Sequence, residues 1–159
     1  ATAKIIADTG TWLSIQPFLS DADTGVLTGP SRVASLQVFA GTDSAYKLAI
    51  KHKLKTAFGS DMLFSAAHAA RQGIMLSHLE RWYAAPDILK MATSGNAELL
   101  SLSGARNPYP GQLGIIAKDA YADLLVVDGD PTTDISVIAD PAKNLRLVMK
   151  DGKIHKNTL

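Results

Sequence analysis

Apolar positions follow a helical period, broken by short β-like runs, up to about residue 111, and an alternating, turn-punctuated pattern beyond it. Residues 2–9 carry Ile5 and Ile6 and precede Gly10, so they read as a helix closed by a glycine cap. Residues 12–18, WLSIQPF, are rich in strand formers and place Pro17 near their end, predicting a strand that runs into a loop. The polar stretch 20–32, with Gly25, Gly29 and Pro30, reads as one long loop, and loops of that length in compact domains are usually functional or disordered. Helical spacing returns from 33 to 53 through Leu36, Phe39, Tyr46, Leu48, Ala49 and Ile50; Gly41 predicts a kink or two shorter helices.

Next comes LKTAFGSD, residues 54–61, an apolar run that stops abruptly at Gly59-Ser60-Asp61. Helical signals then fill 66–73, 77–85 and 86–101. Ser77 and Glu80 have capping-box spacing, Pro86 suits a first helical turn, and Ile88, Leu89, Ala92, Ala97, Leu99 and Leu100 form an apolar face that Gly104 ends. After Asn107-Pro108-Tyr109-Pro110-Gly111 the period changes to short strands at 124–127, 145–149 and 154–155. The Asp151-Gly152 pair between the last two is a strong hairpin signal.

The pattern therefore predicts an α/β piece over 1–104, with parallel strands, and a small β module over 105–159. Two parallel strands cannot close a barrel, and three strands are few for an independent sandwich. The expectation is a chain that needs a preceding portion, or another chain, to complete its sheets, with a self-contained two-layer protein as the alternative. Unpaired strand edges and apolar flanks make self-association the expected behaviour in isolation.

Composition narrows the partners. Of 159 residues 47% are hydrophobic, and 16 basic against 15 acidic side chains leave a net charge of +1, so no nucleic-acid partner is expected. The basic cluster Lys47, Lys51, His52, Lys53 and Lys55 reads as a solvated helix end. No apolar run reaches the ~18 residues of a membrane span. The absence of cysteine removes disulfides and thiolate chemistry. The chain begins at Ala1 without a signal-like segment, and a cytoplasmic compartment is the slight preference.

The chemistry centres on Asp61. A buried strand followed at once by glycine and a carboxylate is how α/β enzymes present charge at the C-terminal rim of a sheet. A hydrolytic metal site needs three or four convergent His, Asp or Glu ligands. The four histidines, His52, His68, His78 and His155, show no paired ligand spacing. Either Asp61 is an ordinary turn residue, or most of its site lies outside these residues.

The tail resembles the end of amidohydrolase-superfamily enzymes. It matches in Ala122-Asp123-Leu124-Leu125-Val126-Val127-Asp128-Gly129-Asp130-Pro131, in Asp134-Ile135, and in Val148-Met149-Lys150-Asp151-Gly152-Lys153-Ile154. TSGNAELLSL at 93–102 resembles the helix leading out of the family's barrel, and 58–61 the end of barrel strand eight. Residues 12–18 then fit strand seven, and 1–9 the end of the helix before it. Gly59-Ser60-Asp61 replaces the family's usual Gly-Thr-Asp, and Ala117-Lys118-Asp119-Ala120-Tyr121 stands where a Pro-Gly-Lys turn is common. Within the superfamily the chain looks most like the prolidase-like, Xaa-Pro and Xaa-Arg dipeptidase group, with imidazolonepropionase-like enzymes next.

The resemblance implies the C-terminal part of a (β/α)8 metallohydrolase barrel and part of a composite β-sandwich. It implies a divalent metal, zinc first, with one or two ions in the complete enzyme, and Asp61 as the strand-eight ligand. The expected reaction is attack of a metal-activated water on the amide of a dipeptide or N-acyl amino acid. Asp61 would pass the water's proton to the leaving amine. A cyclic amide is the alternative substrate, and a non-enzymatic binding or structural protein the alternative class. His68, seven residues past Asp61, would face the substrate carboxylate or the oxyanion, or else be a surface histidine. Ser60 would position Asp61 or fill the turn, Gln16 would hydrogen-bond substrate or stay a turn-side residue, and Arg32 would meet a peptide carboxylate or solvent. Trp82 and Tyr83 are expected to pack in the core or between domains, His78 to be structural or solvent-exposed, and His52 and His155 to be structural. Residues 1–159 alone are expected to lack hydrolase activity.

Overall fold

The computed structural model describes residues 1–24, 27–62 and 66–159. Helix α1 (Thr2–Thr9) ends as expected at Gly10, which takes φ 64° so that the N–H groups of Gly10 and Thr11 close on the carbonyls of Ala7 and Ile6. Strand β1 (Leu13–Ile15), helix α2 (Asp21–Thr24), helix α3 (Gly29–Lys51) and strand β2 (Thr56–Phe58) follow. The strands pair in parallel, Leu13 opposite Thr56 and Ile15 opposite Phe58, with α3 as the crossover.

Two expectations for this region are corrected. The stretch 20–32 is not one loop: α2 lies inside it, and α3 begins at Gly29, with Gly25 outside the described residues. Gly29 at φ 57° turns the chain inward, and Pro30, which has no N–H to lose in a first turn, starts the helix. Gly41 does not divide α3, which runs unbroken for 23 residues. Nothing lies within 4 Å of a Cβ built on Gly41, so this glycine lowers helix propensity without bending the axis. The basic helix end is partly paired: Lys47 lies 2.6 Å from Asp43, and Lys55 2.8 Å from Glu98.

Beyond β2 come α4 (Ala66–Ala69), α5 (Gln72–Ser77) and a 3₁₀ turn at His78–Arg81. The capping box expected from Ser77 and Glu80 does not form. Ser77 ends α5 in helical conformation, and its hydroxyl donates to the carbonyl of Ile74 at 2.8 Å, where it can cap nothing downstream. Helix α6 (Ala85–Lys90), opened by Pro86, passes through a π turn at Met91–Gly95 into α7 (Asn96–Ser101).

The core gathers Tyr46, Leu76, Leu79, Ile88, Met91 and Ile135. Tyr46, fully buried, stacks on Trp82 with ring centroids 4.3 Å apart, meets Tyr83 edge-on, and donates its hydroxyl to the carbonyl of Ile15 at 2.7 Å. Burial pushes its phenol pKa upward. Trp82 and Tyr83 are half-buried and pack against this core.

The β module is an antiparallel sheet in the order β3 (Leu124–Val127), β4 (Leu145–Lys150), β5 (Lys153–Asn157), preceded at β4 by α8 (Pro141–Asn144). Asp151 at φ 50° and Gly152 at φ 73° make the tight turn that their pairing predicts. Asp123 accepts the Asp151 backbone N–H at 2.7 Å and the Lys150 ammonium at 3.2 Å, which hold its carboxyl below the usual range. The module is not independent of the α/β part, because Ile135 enters the common core and the 3₁₀ turn Ile135–Ala139 lies across α5. A Cβ on Gly73 would stand 2.1 Å from the Ile138 carbonyl oxygen. No helix among the described residues is long and apolar enough to cross a membrane.

The two helix glycines give opposite predictions for the intact protein, read as urea midpoints. Gly41→Ala should stabilise by about 0.5–1 kcal/mol through propensity alone. Gly73→Ala should destabilise by at least ~1–3 kcal/mol, as overpacking against backbone does. A pH prediction follows from Asp43, which accepts from Lys47, Trp82 Nε1 (3.0 Å) and Arg81 Nε (3.3 Å). Lys47 first, then the Trp82 N–H, bring its carboxyl from 3.8 down to about 2. A depressed folded pKa adds stability that is present above the unfolded value and lost as pH falls toward the folded one. Melting temperatures of wild type and Asp43→Asn should therefore differ at pH 5 and converge between pH 4 and 2.

Candidate active site

A parallel pair presents both strand ends to one side, so the segments leaving β1 and β2 share a rim. After β2, Gly59 turns the chain beside the Ser14 hydroxyl, which lies 3.4 Å from where a Cβ would stand. Ser60 is buried, and its hydroxyl donates to Gln72 Oε1 at 2.7 Å. Asp61 then takes φ 53°, a left-handed conformation uncommon for a residue with a Cβ, and its side chain stands exposed. After β1, Gln16 is half-buried at the corresponding level, next to the buried Pro17.

The remaining expected residues lie on the helices that follow each strand and on β5. His68 is half-buried on α4, and Arg32 sits in the first turns of α3, not in a loop, with its N–H directed at the Thr28 carbonyl. His52 caps the C-terminal end of α3, and His155 lies exposed on β5.

The structure adds a polar linkage that the sequence reading missed. Asp23, its side chain wholly buried, accepts the backbone N–H groups of Leu19 and Ser20 at 2.9 and 3.0 Å and Arg71 Nη2 at 3.2 Å. Arg71 Nε is buried and has no hydrogen-bond partner among the described residues. His78 donates Nδ1–H to the Pro17 carbonyl at 3.0 Å, which sets its tautomer, and the same nitrogen lies 3.8 Å from Asp23. The loop after β1 is thus fastened to the helices after β2. On the other flank of β2, Asn96 bonds both backbone groups of Phe58, accepting its N–H at 3.0 Å and donating to its carbonyl at 2.9 Å. Asp23 and Arg71 lie in unremarkable polar contexts, and Asn96, up to 73 positions away, falls in the family-like segment 93–102 with nothing local to link it to β2.

As a metal centre the described residues are incomplete. No group of three or more His, Asp or Glu side chains that could hold an ion is found among them. Asp61 fits as a single oxygen donor, exposed and just past a strand end.

The Amidohydrolase family matches residues 2–155, and the chain belongs to that family, whose members typically bind divalent metals. No curated protein sequence matches. Among solved structures the chain resembles an amidohydrolase with a TM-score of 0.82 and 25% identity over 99% of this chain and 37% of that one. It also resembles a prolidase complexed with N-methylphosphonate-L-proline, with a TM-score of 0.80 and 28% identity over 98% and 37% of the two chains. A Xaa-Pro dipeptidase with bound methionine shares the fold at a TM-score of 0.73 and 23% identity, covering 98% of this chain and 37% of that one. The suspected prolidase-like relationship and the α/β architecture, part of a (β/α)8-barrel protein, therefore stand. The chain spans about 37% of the length of these structures.

Proposed function

We propose that the protein carrying this chain hydrolyses the C–N bond of a dipeptide or N-acyl amino acid, with Asp61 as its acid–base and metal-binding carboxylate. The observation that carries this reading is the pose of Asp61: exposed and left-handed, immediately past a parallel strand, in a chain that the Amidohydrolase family covers from residue 2 to 155. The prolidase relative, seen with a proline phosphonate, supports the dipeptide class. A divalent ion, zinc in the first instance and one or two per site, supplies an acidified water and polarises the scissile carbonyl when bound.

Asp61 contributes one ligand oxygen and accepts the proton that the attacking water gives up, delivering it to the departing amine. Ser60 acts through Asp61, because its hydroxyl is buried and engaged by Gln72. Gln16 is offered to the substrate amide from the neighbouring strand end. His68 and Arg32, on the helices that leave the same rim, are the residues for the substrate carboxylate. The other ligands come from a preceding portion or another chain, in a complete and oligomeric assembly.

In the complete protein, Asp61→Asn should lower kcat for an Xaa-Pro dipeptide by about 10²–10⁴-fold and reduce bound divalent ion, measured by elemental analysis. Unchanged turnover together with unchanged ion content would sink the assignment. A preference for a cyclic amide over dipeptides and N-acyl amino acids would replace the substrate class while keeping Asp61. Residues 1–159 alone should be inactive with excess zinc and regain turnover only with the remainder of the fold supplied; activity of the isolated chain would overturn the shared-site reading.

A further inference from the structure

We infer that Asn96, with Gln72, is a positioning residue for Asp61: the two amides hold the chain at Phe58 and Ser60, just ahead of the residue that presents the carboxylate. The inference rests on the reading of Asp61 given above and deepens it. In a parallel ladder the N–H and C=O of one residue point to the same side of its strand, and successive residues alternate. Leu13 N–H donates to the Lys55 carbonyl at 2.8 Å, so Lys55 and Ala57 face β1, while Thr56 and Phe58 face the opposite edge. On that edge Asn96 takes both polar groups of Phe58, as a neighbouring strand would. The double bond fixes the amide's orientation, because the N–H requires an acceptor and the carbonyl a donor.

Two consequences follow. Any strand that joins β2 on this edge must end its ladder before Phe58, since both partners there are taken. On this edge the ladder therefore ends at Phe58, three residues before Asp61. Gln72 then secures the turn through Ser60 Oγ. With one fixed point at Phe58 and another at Ser60, Asp61 holds a left-handed backbone that an unclamped turn would leave for commoner conformations.

The helix is built to deliver Asn96. The π turn Met91–Gly95 immediately precedes it, and one extra residue in a helix rotates everything after it by about 100°. Gly95 permits this turn, since a Cβ there would lie 3.1 Å from the Lys90 carbonyl oxygen.

The test uses the complete protein. Hydrolysis of leucyl-proline and zinc content are measured first on the unsubstituted enzyme; if both are absent, the reading of Asp61 falls and the clamp's role with it. Given both, Asn96→Ala should raise amide exchange at Phe58 by about tenfold while Ala57, bonded to β1, stays protected. It should also lower kcat by about 10–100-fold with KM nearly unchanged, as expected of a misplaced catalytic group. Gln72→Leu should reproduce the kcat loss, and Gln72→Glu, which keeps an acceptor for Ser60, should restore most of it. These two variants decide the matter if Asn96→Ala fails to fold. Local exchange and kcat both unchanged in folded Asn96→Ala, or Gln72→Leu as active as wild type, would overturn the inference.

Discussion

The hydroxyl of Tyr46 donates to the carbonyl of Ile15, the last residue of β1, and most of the architecture is set around that contact. A buried phenol must find a partner, and Ile15 supplies one at the level where the strand leaves the sheet. This fixes α3 against β1 in height as well as direction. Trp82 stacks on the same ring and turns its own N–H to Asp43 one turn earlier on α3, so the 3₁₀ turn after α5 is tied to the crossover helix. With β1, α3 and this turn fixed together, the ends of both strands occupy one rim.

That rim is held by polar groups that carry no chemistry of their own. Asp23 collects two backbone N–H groups and Arg71, and His78 takes the Pro17 carbonyl, so the segment after β1 is anchored to the helices after β2. Asn96 and Gln72 do the same for the turn after β2. On the proposed reading of Asp61 such support matters, since a carboxylate that meets a cation must stand exposed while its backbone stays fixed. The adjacent Gln72-Gly73 pair serves two ends, with Gln72 turned to Ser60 and Gly73 allowing the Ile138 carbonyl close against α5.

The chain belongs to the Amidohydrolase family and spans about 37% of the length of the solved relatives; its sheets are short, and apolar residues such as Leu125 and Ile154 are exposed. Two parallel strands are the minimum that can define a rim, and they define it here because the helices around them form a shared core that includes Ile135 of the β module. The ADL run of that module has a structural task as well: its aspartate accepts the turn N–H of the Asp151-Gly152 hairpin, which joins two separated parts of the tail resemblance through one hydrogen bond.

Local signals in the sequence determined what depends on neighbouring residues. Gly10 closed its helix, Asp151-Gly152 made its hairpin, Pro86 opened α6, and Gly59-Ser60-Asp61 ended a strand, because backbone sterics act over a few residues and glycine and proline mark them. Where two local rules competed, the packed structure chose. Ser77 had capping-box spacing but turned back to Ile74, and Gly41 weakened propensity in a helix whose C-terminal half is held by Tyr46. The clamp around Asp61 depended on tertiary structure entirely. No local pattern links Asn96 or Gln72 to Asp61, and only the parallel pairing of β1 with β2 and the π turn before Asn96 bring them to one strand end.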